Sequence, residues 1–349
     1  TDEDAAFGIL TTMRSRKIAA AVQAMDVGDL DGDGKVEILV LERGNLALYH
    51  VSANHFQRIA EQPIARHLGL HTVYLADLDE NGIQEIYIGA SSGAQPASQI
   101  IEWDGANFHF LYQNAPYYLR PGINSAGKPI LIGQAGGSFY RLTRNNAGML
   151  DKVENISVPT GYNIYDFIRV DLDRDGILEF VGITRSNKLV VMNQTGEILW
   201  KSETVYGASE KALGTLASRA DGDRNPVNNP EPIYLHTRII AQDQNGDGKP
   251  EIILGRNRLS DIMFFKRIRY VEGSSVCVLS WNGARMETLF ETPKKSGYTV
   301  DYQMLKNAGQ SDGGNLFFVE RVSRDTSLSF WKSEEFVIYS YGIGGRQHR

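Results

Sequence analysis

The sequence predicts an all-β protein, a single-domain β-propeller of six four-stranded antiparallel blades, and three observations lead there. An acidic loop that runs directly into an apolar strand occurs four times. The loops fall on a period near 48 residues, and short strands repeating at about 40–50 residues build propeller blades. Glycine is frequent, 35 of 349 residues, and aromatic residues make up 10%, a composition of strands and turns more than of helices.

The first loop is Asp29-Leu30-Asp31-Gly32-Asp33-Gly34-Lys35-Val36-Glu37, and Ile38-Leu39-Val40-Leu41 follows it. Its carboxylates stand at positions 1, 3, 5 and 9, with glycines where the chain turns sharply. The pattern returns as Asp77, Asp79, Asn81 and Glu85, as Asp171, Asp173, Asp175 and Glu179, and as Asp243, Asn245, Asp247 and Glu251. Oxygen donors at this density suit a hard cation, Ca²⁺ above all, at about four sites. Mg²⁺ fits less well because it demands near-ideal octahedral geometry and keeps its waters. A helical EF-hand fits poorly, since its closing acid falls at position 12, where these loops carry Val40, Ile88, Gly182 and Leu254. The bland alternative, a polar turn, does not account for four copies in phase. The expected role of the ion is structural, neutralising clustered carboxylates and pinning the loop.

Taken in order, the loops start 48, 94 and 72 residues apart. The long second interval hides a unit at Gly122 to Gly133, which keeps the Gly-Lys-Pro turn but has lost its carboxylates; it is expected to bind no metal. The third interval is one period plus an insertion. A last, eroded unit fits Gln303 to Val319 around Asp312-Gly313-Gly314. Units are placed near 13–62, 63–114, 115–155, 156–232, 233–292 and 293–341, with insertions at 202–232 and 257–273. A seventh blade would need a degenerate unit within 203–232. In the second unit, Thr72–Ala76 enters the loop, Glu85–Ala90 leaves it, and Gln99–Trp103 meets Asn107–Leu111 across Asp104-Gly105, a dipeptide suited to a two-residue hairpin. Trp281-Asn282-Gly283-Ala284 repeats the device in the fifth. The sixth unit ends at its third strand, Phe336–Tyr341, and the N-terminal run Phe7–Thr12 has no unit of its own. Joining them closes the ring and removes a sheet edge.

This repeat resembles the FG-GAP/VCBS family, the calcium-loop propeller of integrin alpha subunits and many bacterial secreted proteins, over about residues 5–341. The resemblance implies a β-propeller with Ca²⁺ in the loop between each blade's first and second strands. It adds the backbone carbonyls of Lys35, Ile83, Ile177 and Lys249 to the four ligand sets. The Gly-Ala cap after the second strand is present as Gly89-Ala90. Members of the family bind varied partners, so the resemblance leaves function open.

Other chemistries find little support. The net charge of −6 is mostly ligand: the loop positions hold 14 of the 42 acidic residues, and four divalent cations would bring the chain to +2. Cys277, the single cysteine, stands in an apolar strand and excludes a disulfide framework. His50, His55, His67, His71, His109, His236 and His348 are scattered, with no transition-metal spacing. There is no nucleophile elbow and no phosphate-cradling glycine loop. Asp221-Gly222-Asp223 lacks a third ligand and reads as an ordinary loop. Asn155-Ile156-Ser157 and Asn193-Gln194-Thr195 are glycosylation sequons that matter only in a secreted eukaryotic chain. No apolar run reaches the ~18 residues of a membrane span, and the start at Thr1 suits a chain whose leader has been removed.

Strand parity points to a partner surface. First-to-second and third-to-fourth connections share one face of the disc, and second-to-third and inter-blade connections share the other. The acidic loops occupy the first face; the enlarged connections 202–232, 257–273 and 321–333 occupy the second. There Phe264, Phe265, Arg267, Arg269, Tyr270 and Trp331 offer the aromatic and arginine content of interaction hot spots, or else 257–273 is a hairpin covering its own blade. The expected function is a calcium-stabilised extracytoplasmic module (periplasmic, cell-surface or secreted) that binds a protein or glycan, with no nucleic acid. The alternative is a polysaccharide lyase or hydrolase, which convergent Arg, Lys, His or Tyr with carboxylates in the central funnel would favour.

Overall fold

The computed structural model describes residues 7–52, 55–213, 233–259, 269, 271–306, 313–322 and 334–345. The first strand in the chain, β1 (Phe7–Arg14), is the last of the ring. Blade one is β2 (Val22–Gly28), β3 (Glu37–Glu42), β4 (Asn45–Ser52) and β5 (His55–Pro63). Blade two is β6 (Leu68–Ala76), β7 (Glu85–Ser92), β9 (Ser98–Trp103) and β10 (Phe108–Ala115), with the short β8 (Gln95–Pro96) beside β7. Blade three is β11 (Tyr118–Ile123), β12 (Pro129–Ala135), β13 (Ser138–Arg144) and β14 (Leu150–Ile156). Blade four is β15 (Phe167–Val170), β16 (Glu179–Ile183), β17 (Lys188–Met192) and β18 (Ile198–Val205). Blade five is β19 (Ile239–Gln242), β20 (Glu251–Leu259), β21 (Val271–Trp281) and β22 (Met286–Glu291). Blade six is β23 (Tyr298–Lys306), β24 (Gly314–Arg321) and β25 (Phe336–Gly345), completed by β1 in antiparallel register from Phe7↔Gly345 to Arg14↔Tyr339. The blade count is six, and the predicted closure is present.

The second strands explain why blades stack. In β3, Leu39 and Leu41 face one apolar cluster, shared with Val73, Ile86 and Ile101 of blade two. Ile38 and Val40 face another, shared with Val300, Phe317 and Val319 of blade six. Because side chains alternate across a strand, a strand apolar at every position serves two neighbours at once. The same division occurs in β20, where Ile252 and Leu254 pack toward blade four and Ile253 toward blade six. The glycine cap makes room for a more distant contact: a Cβ at Gly89 would collide with Tyr165 Oη, from the connection that leads into blade four.

First strands lie at the axis, where β2 packs against β6 and β23, and β15 against β11 and β19. Two predicted insertions are shorter than their sequence boundaries. Strand β20 pairs with β21 through Asn257↔Ser274, Arg258↔Gly273 and Leu259↔Val271, so that connection covers only 260–270. Strand β18 runs to Val205, which moves the start of the other insertion to residue 206. Its ends then pair with each other, Leu213 N donating to Ile233 O (2.9 Å) and Leu235 N to Lys211 O (2.9 Å).

The seam of the ring rests on β1, because without it β25 presents an unpaired edge. Removing residues 1–14 is expected to lower the melting temperature and produce concentration-dependent association. Calorimetry and size-exclusion chromatography test this, and an unchanged monomer would show that β1 is an accessory strand.

Candidate metal centre

The four acidic loops are built to one plan. The glutamate at position 9 opens the second strand and accepts from the N–H at position 2: Leu30 to Glu37 (3.1 Å), Leu78 to Glu85 (2.9 Å), Leu172 to Glu179 (2.9 Å) and Gln244 to Glu251 (2.6 Å). The aspartate at position 1 accepts from the N–H at position 6: Gly34, Gly82 and Gly176 at 2.9 Å, and Gly248 at 3.1 Å. The side chain at position 5 accepts from the N–H at position 7: Lys35 at 2.8 Å, and Ile83, Ile177 and Lys249 at 2.7 Å. Both position 4 and position 6 take positive φ. Position 6 is always glycine, but position 4 is Gly32, Glu80, Arg174 and Gly246 in turn. Holding Glu80 and Arg174 there costs about 1–2 kcal/mol each, offset by the loop's own hydrogen bonds. The loops also touch in pairs: Gln84 N donates to Leu30 O (3.1 Å), and Arg174 Nε donates to Gly248 O.

Three loops bring three carboxylates together, with oxygens within 4.8 Å of one another: Asp29, Asp31 and Asp33; Asp77, Asp79 and Glu85; Asp171, Asp173 and Glu179. These donor sets fit a hard cation, being all oxygen and gathered at a single point. Asp29 Oδ1 is buried with no hydrogen-bond partner, as a ligand atom would be. Burial, and then the neighbouring aspartates, push Glu37 up to about 7, and burial with Asp79 does the same to Glu85. A cation among these oxygens would reverse that field.

The fourth predicted site differs. Its three acids do not gather as a cluster; Asn245 Nδ2 donates to Asp247 Oδ2 (3.0 Å), and Lys306 Nζ stands 3.8 Å from Asp243 Oδ2. Glu251 Oε1 is still a buried oxygen without a partner. In blade three the turn is held by an amide: Asn124 Oδ1 accepts from Ala126 N (2.9 Å) and Lys128 N (3.0 Å), as the carboxylate does in the acidic loops. In blade six, Asp312 lies outside the described residues. Of the partner residues, Phe264, Phe265, Arg267, Tyr270 and Trp331 also lie outside them. Arg269 is half-buried, its guanidinium 4.2 Å from the centre of the Tyr234 ring.

The axis holds a site that sequence reasoning missed. Arg238, 4% exposed on its side chain, pairs with Asp26 (3.0 Å) and Asp301 (2.7 Å) and donates to Met25 O (2.6 Å) and Val73 O (2.8 Å). Tyr74 lies 4.9 Å below it. Burial works against its charge, but Asp26 and Asp301 outweigh that and hold the guanidinium well above its ordinary value. Burial pushes Asp26 up, with Arg238 pulling it back. Nearby, His236 Nδ1 contacts Asp166 Oδ1 at 2.7 Å, and Arg120 stands 5.1 Å over Phe167 with its Nε lacking a partner. His71, read as an ordinary strand histidine, is pushed down to about 4 by burial and bonds Ser91 Oγ (2.9 Å). The available signal was position: Asp26, Asp166 and Arg238 interrupt apolar runs three to five residues ahead of an acidic loop.

Removing Arg238 leaves two carboxylates buried without a counter-ion. Arg238→Ala is expected to cost about 3–5 kcal/mol, against about 0.5 kcal/mol for Arg58→Ala at a surface pair. Denaturant unfolding measures both, and equal small losses would refute the axial cluster as a tie.

Residues 29–88, from the first loop through the strand after the second, match the family model of the FG-GAP-like repeat. No curated protein matches the chain. Among solved structures, the chain is similar to BBS1N, crystallised in complex with ARL6DN, at 13% identity and TM-score 0.46, covering 97% of this chain and 98% of that one. It is also similar to the WD40 domain of Toxoplasma gondii coronin, at 9% identity and TM-score 0.44, covering 94% of this chain and 71% of that one. The chain is a six-bladed β-propeller, closed by strands from its two ends, that carries an FG-GAP-like repeat.

Proposed function

We propose that the chain is a calcium-braced binding or scaffold module that works outside the cytoplasm, with its protein or glycan partner on the face opposite the acidic loops. One observation carries this reading: the roots of the three enlarged loops are tied together on that face. Glu210 accepts from Val271 N (2.9 Å) and from both terminal nitrogens of Arg321 (2.6 and 2.7 Å). Arg321 also stands 3.5 Å from Glu334, and Leu213 pairs with Ile233. The described residues flanking connections 214–232, 260–270 and 323–333 therefore form a common platform, and Phe264, Phe265, Arg267, Arg269, Tyr270 and Trp331 are the proposed contact residues.

The loops support a bracing role for the cation, because the first aspartate and the last glutamate of each accept backbone N–H groups and so fix the turn that gathers the remaining oxygens. Exposed loops of this kind suit the millimolar calcium of extracellular modules, which favours a periplasmic, cell-surface or secreted location. The carbohydrate-cleaving alternative has one observation in its favour, the arginine, histidine, tyrosine and carboxylate groups that converge on the axis. Those groups are buried, and Arg238 is already committed to four acceptors, so the axis is better read as a plug than as a funnel.

A chelator is expected to lower the melting temperature, with Ca²⁺ restoring it, and Asp77→Ala is expected to reduce bound calcium by one ion per chain in elemental analysis. A chelator-insensitive melting curve with no calcium bound would sink the bracing role. For the surface, a variant shortened within 260–270 keeps β20 and β21 but should lose partners in affinity capture. Recovery of every partner by that variant would mean that the wrong face has been chosen.

A further inference from the structure

Arg120 is a buried cation without a counter-ion. It belongs to β11, the first strand of blade three, and is 6% exposed. Its guanidinium stands 5.1 Å over the Phe167 ring, and its Nε is buried with no acceptor. Among the described residues no carboxylate lies within ion-pair distance of it, because the axial acids are committed elsewhere. Asp26 and Asp301 pair with Arg238. Asp166, the acid whose field reaches Arg120, contacts His236 Nδ1 (2.7 Å) and accepts from Asn163 N (2.9 Å). Burial therefore holds the Arg120 guanidinium below its ordinary value, and Tyr74, Tyr165 and Asp166 offset only part of that. For Arg238 the balance is the reverse.

Other polar atoms are left over around it. Tyr165 Oη and Thr72 Oγ1 are buried with no partner beyond each other, and His236 Nε2 is buried with none. The Tyr165 ring packs 6.3 Å from Tyr118, two residues before Arg120 on β11, and 6.4 Å from Tyr74. Buried polar groups in folded proteins are almost all hydrogen-bonded, and orphaned ones gathered in one place mark a bound water or ion. An unpaired guanidinium among them calls for negative charge, since a buried cation is strongly unfavourable alone.

The surroundings also set which anion fits. Guanidinium N–H groups and two hydroxyls that can turn their O–H toward a guest form a donor set around one positive charge. Lys211, the neighbouring cation, stands in the field of Asp301 and Arg238 and not of Arg120. Arg120, Thr72 and Tyr165 are each buried, so a guest must shed its hydration, and that cost rises steeply with charge. A dianion such as sulfate or phosphate is disfavoured on both counts.

We propose that the axis binds a small monovalent anion of chloride size between Arg120 and the hydroxyls of Thr72 and Tyr165, as a working part of the plug. The site depends neither on the cation reading of the acidic loops nor on the partner surface.

The test is thermal unfolding of the full chain, with calcium supplied as gluconate, while chloride replaces gluconate at constant ionic strength. The melting temperature should rise with chloride, as for any ligand of the folded state alone, and bromide should substitute for it. The chlorine NMR line should broaden with the protein present and sharpen when bromide is added. Tyr165→Phe should weaken the chloride response about tenfold, the scale of one hydrogen bond to a charged group. Arg120→Met removes the charge at similar volume. In gluconate it should melt at or above wild type, because an apolar side chain replaces an unpaired buried cation; in chloride it should melt below wild type, without line broadening. Equal melting of wild type in both salts, a rise that sulfate reproduces, or broadening that survives Arg120→Met would overturn the proposal. So would Arg120→Met melting well below wild type in both salts, which would mean that protein or water acceptors already satisfy the guanidinium.

Discussion

The guanidinium of Arg238 is the contact on which the arrangement of the blades depends. It leaves from the start of blade five and bonds Asp301 of blade six, Asp26 and Met25 of blade one, and Val73 of blade two. Apolar packing between blades has no preferred direction. A buried ion cluster is directional, and only at the axis can one side chain reach four blades. A pair of this kind contributes little net stability once desolvation is counted, and its attested use is to specify one arrangement among several. The apolar interfaces drive the blades together; the axial bonds settle how they meet.

The acidic loops add a local constraint. Each bends the chain between first and second strands through two residues of positive φ, and each uses its first aspartate and one oxygen of its last glutamate to hold the bend. What remains is a set of unspent oxygens pointing inward, a repulsive arrangement that burial worsens. Folding the loop and binding a cation are therefore linked: the geometry that fixes the backbone is the geometry that collects the ligands.

This linkage explains what could be read from the sequence. Carboxylate spacing is a direct record of a nine-residue backbone path, so loop phase, blade count and the borrowed strand β1 could all be recovered by counting. The axial cluster could not, because Asp26, Arg238 and Asp301 are distant in the chain and follow no repeated spacing. The fourth loop shows what counting within one loop leaves out. Its own residues keep the pattern, but Lys306 arrives from blade six and competes for Asp243. The extension of β20 and β21 was hidden by Asn257, Arg258 and Glu272, polar residues that read as loop yet continue the ladder beyond the blade's apolar core.

Departures from symmetry are where a repeated fold acquires specific sites. A perfect ring of six equal blades would bury all its interfaces alike and offer no cavity between them. Here the first turn of blade three is shorter than that of blade two and carries no carboxylate, and a cavity lies on the flank of the second loop. Arg144, at the end of the third strand of blade three, pairs there with Asp79 of the neighbouring blade's acidic loop. A degenerate repeat, judged by its own sequence, looks like a blade that has lost a function. Placed next to an intact loop, it supplies the charge and the space that the intact loop lacks.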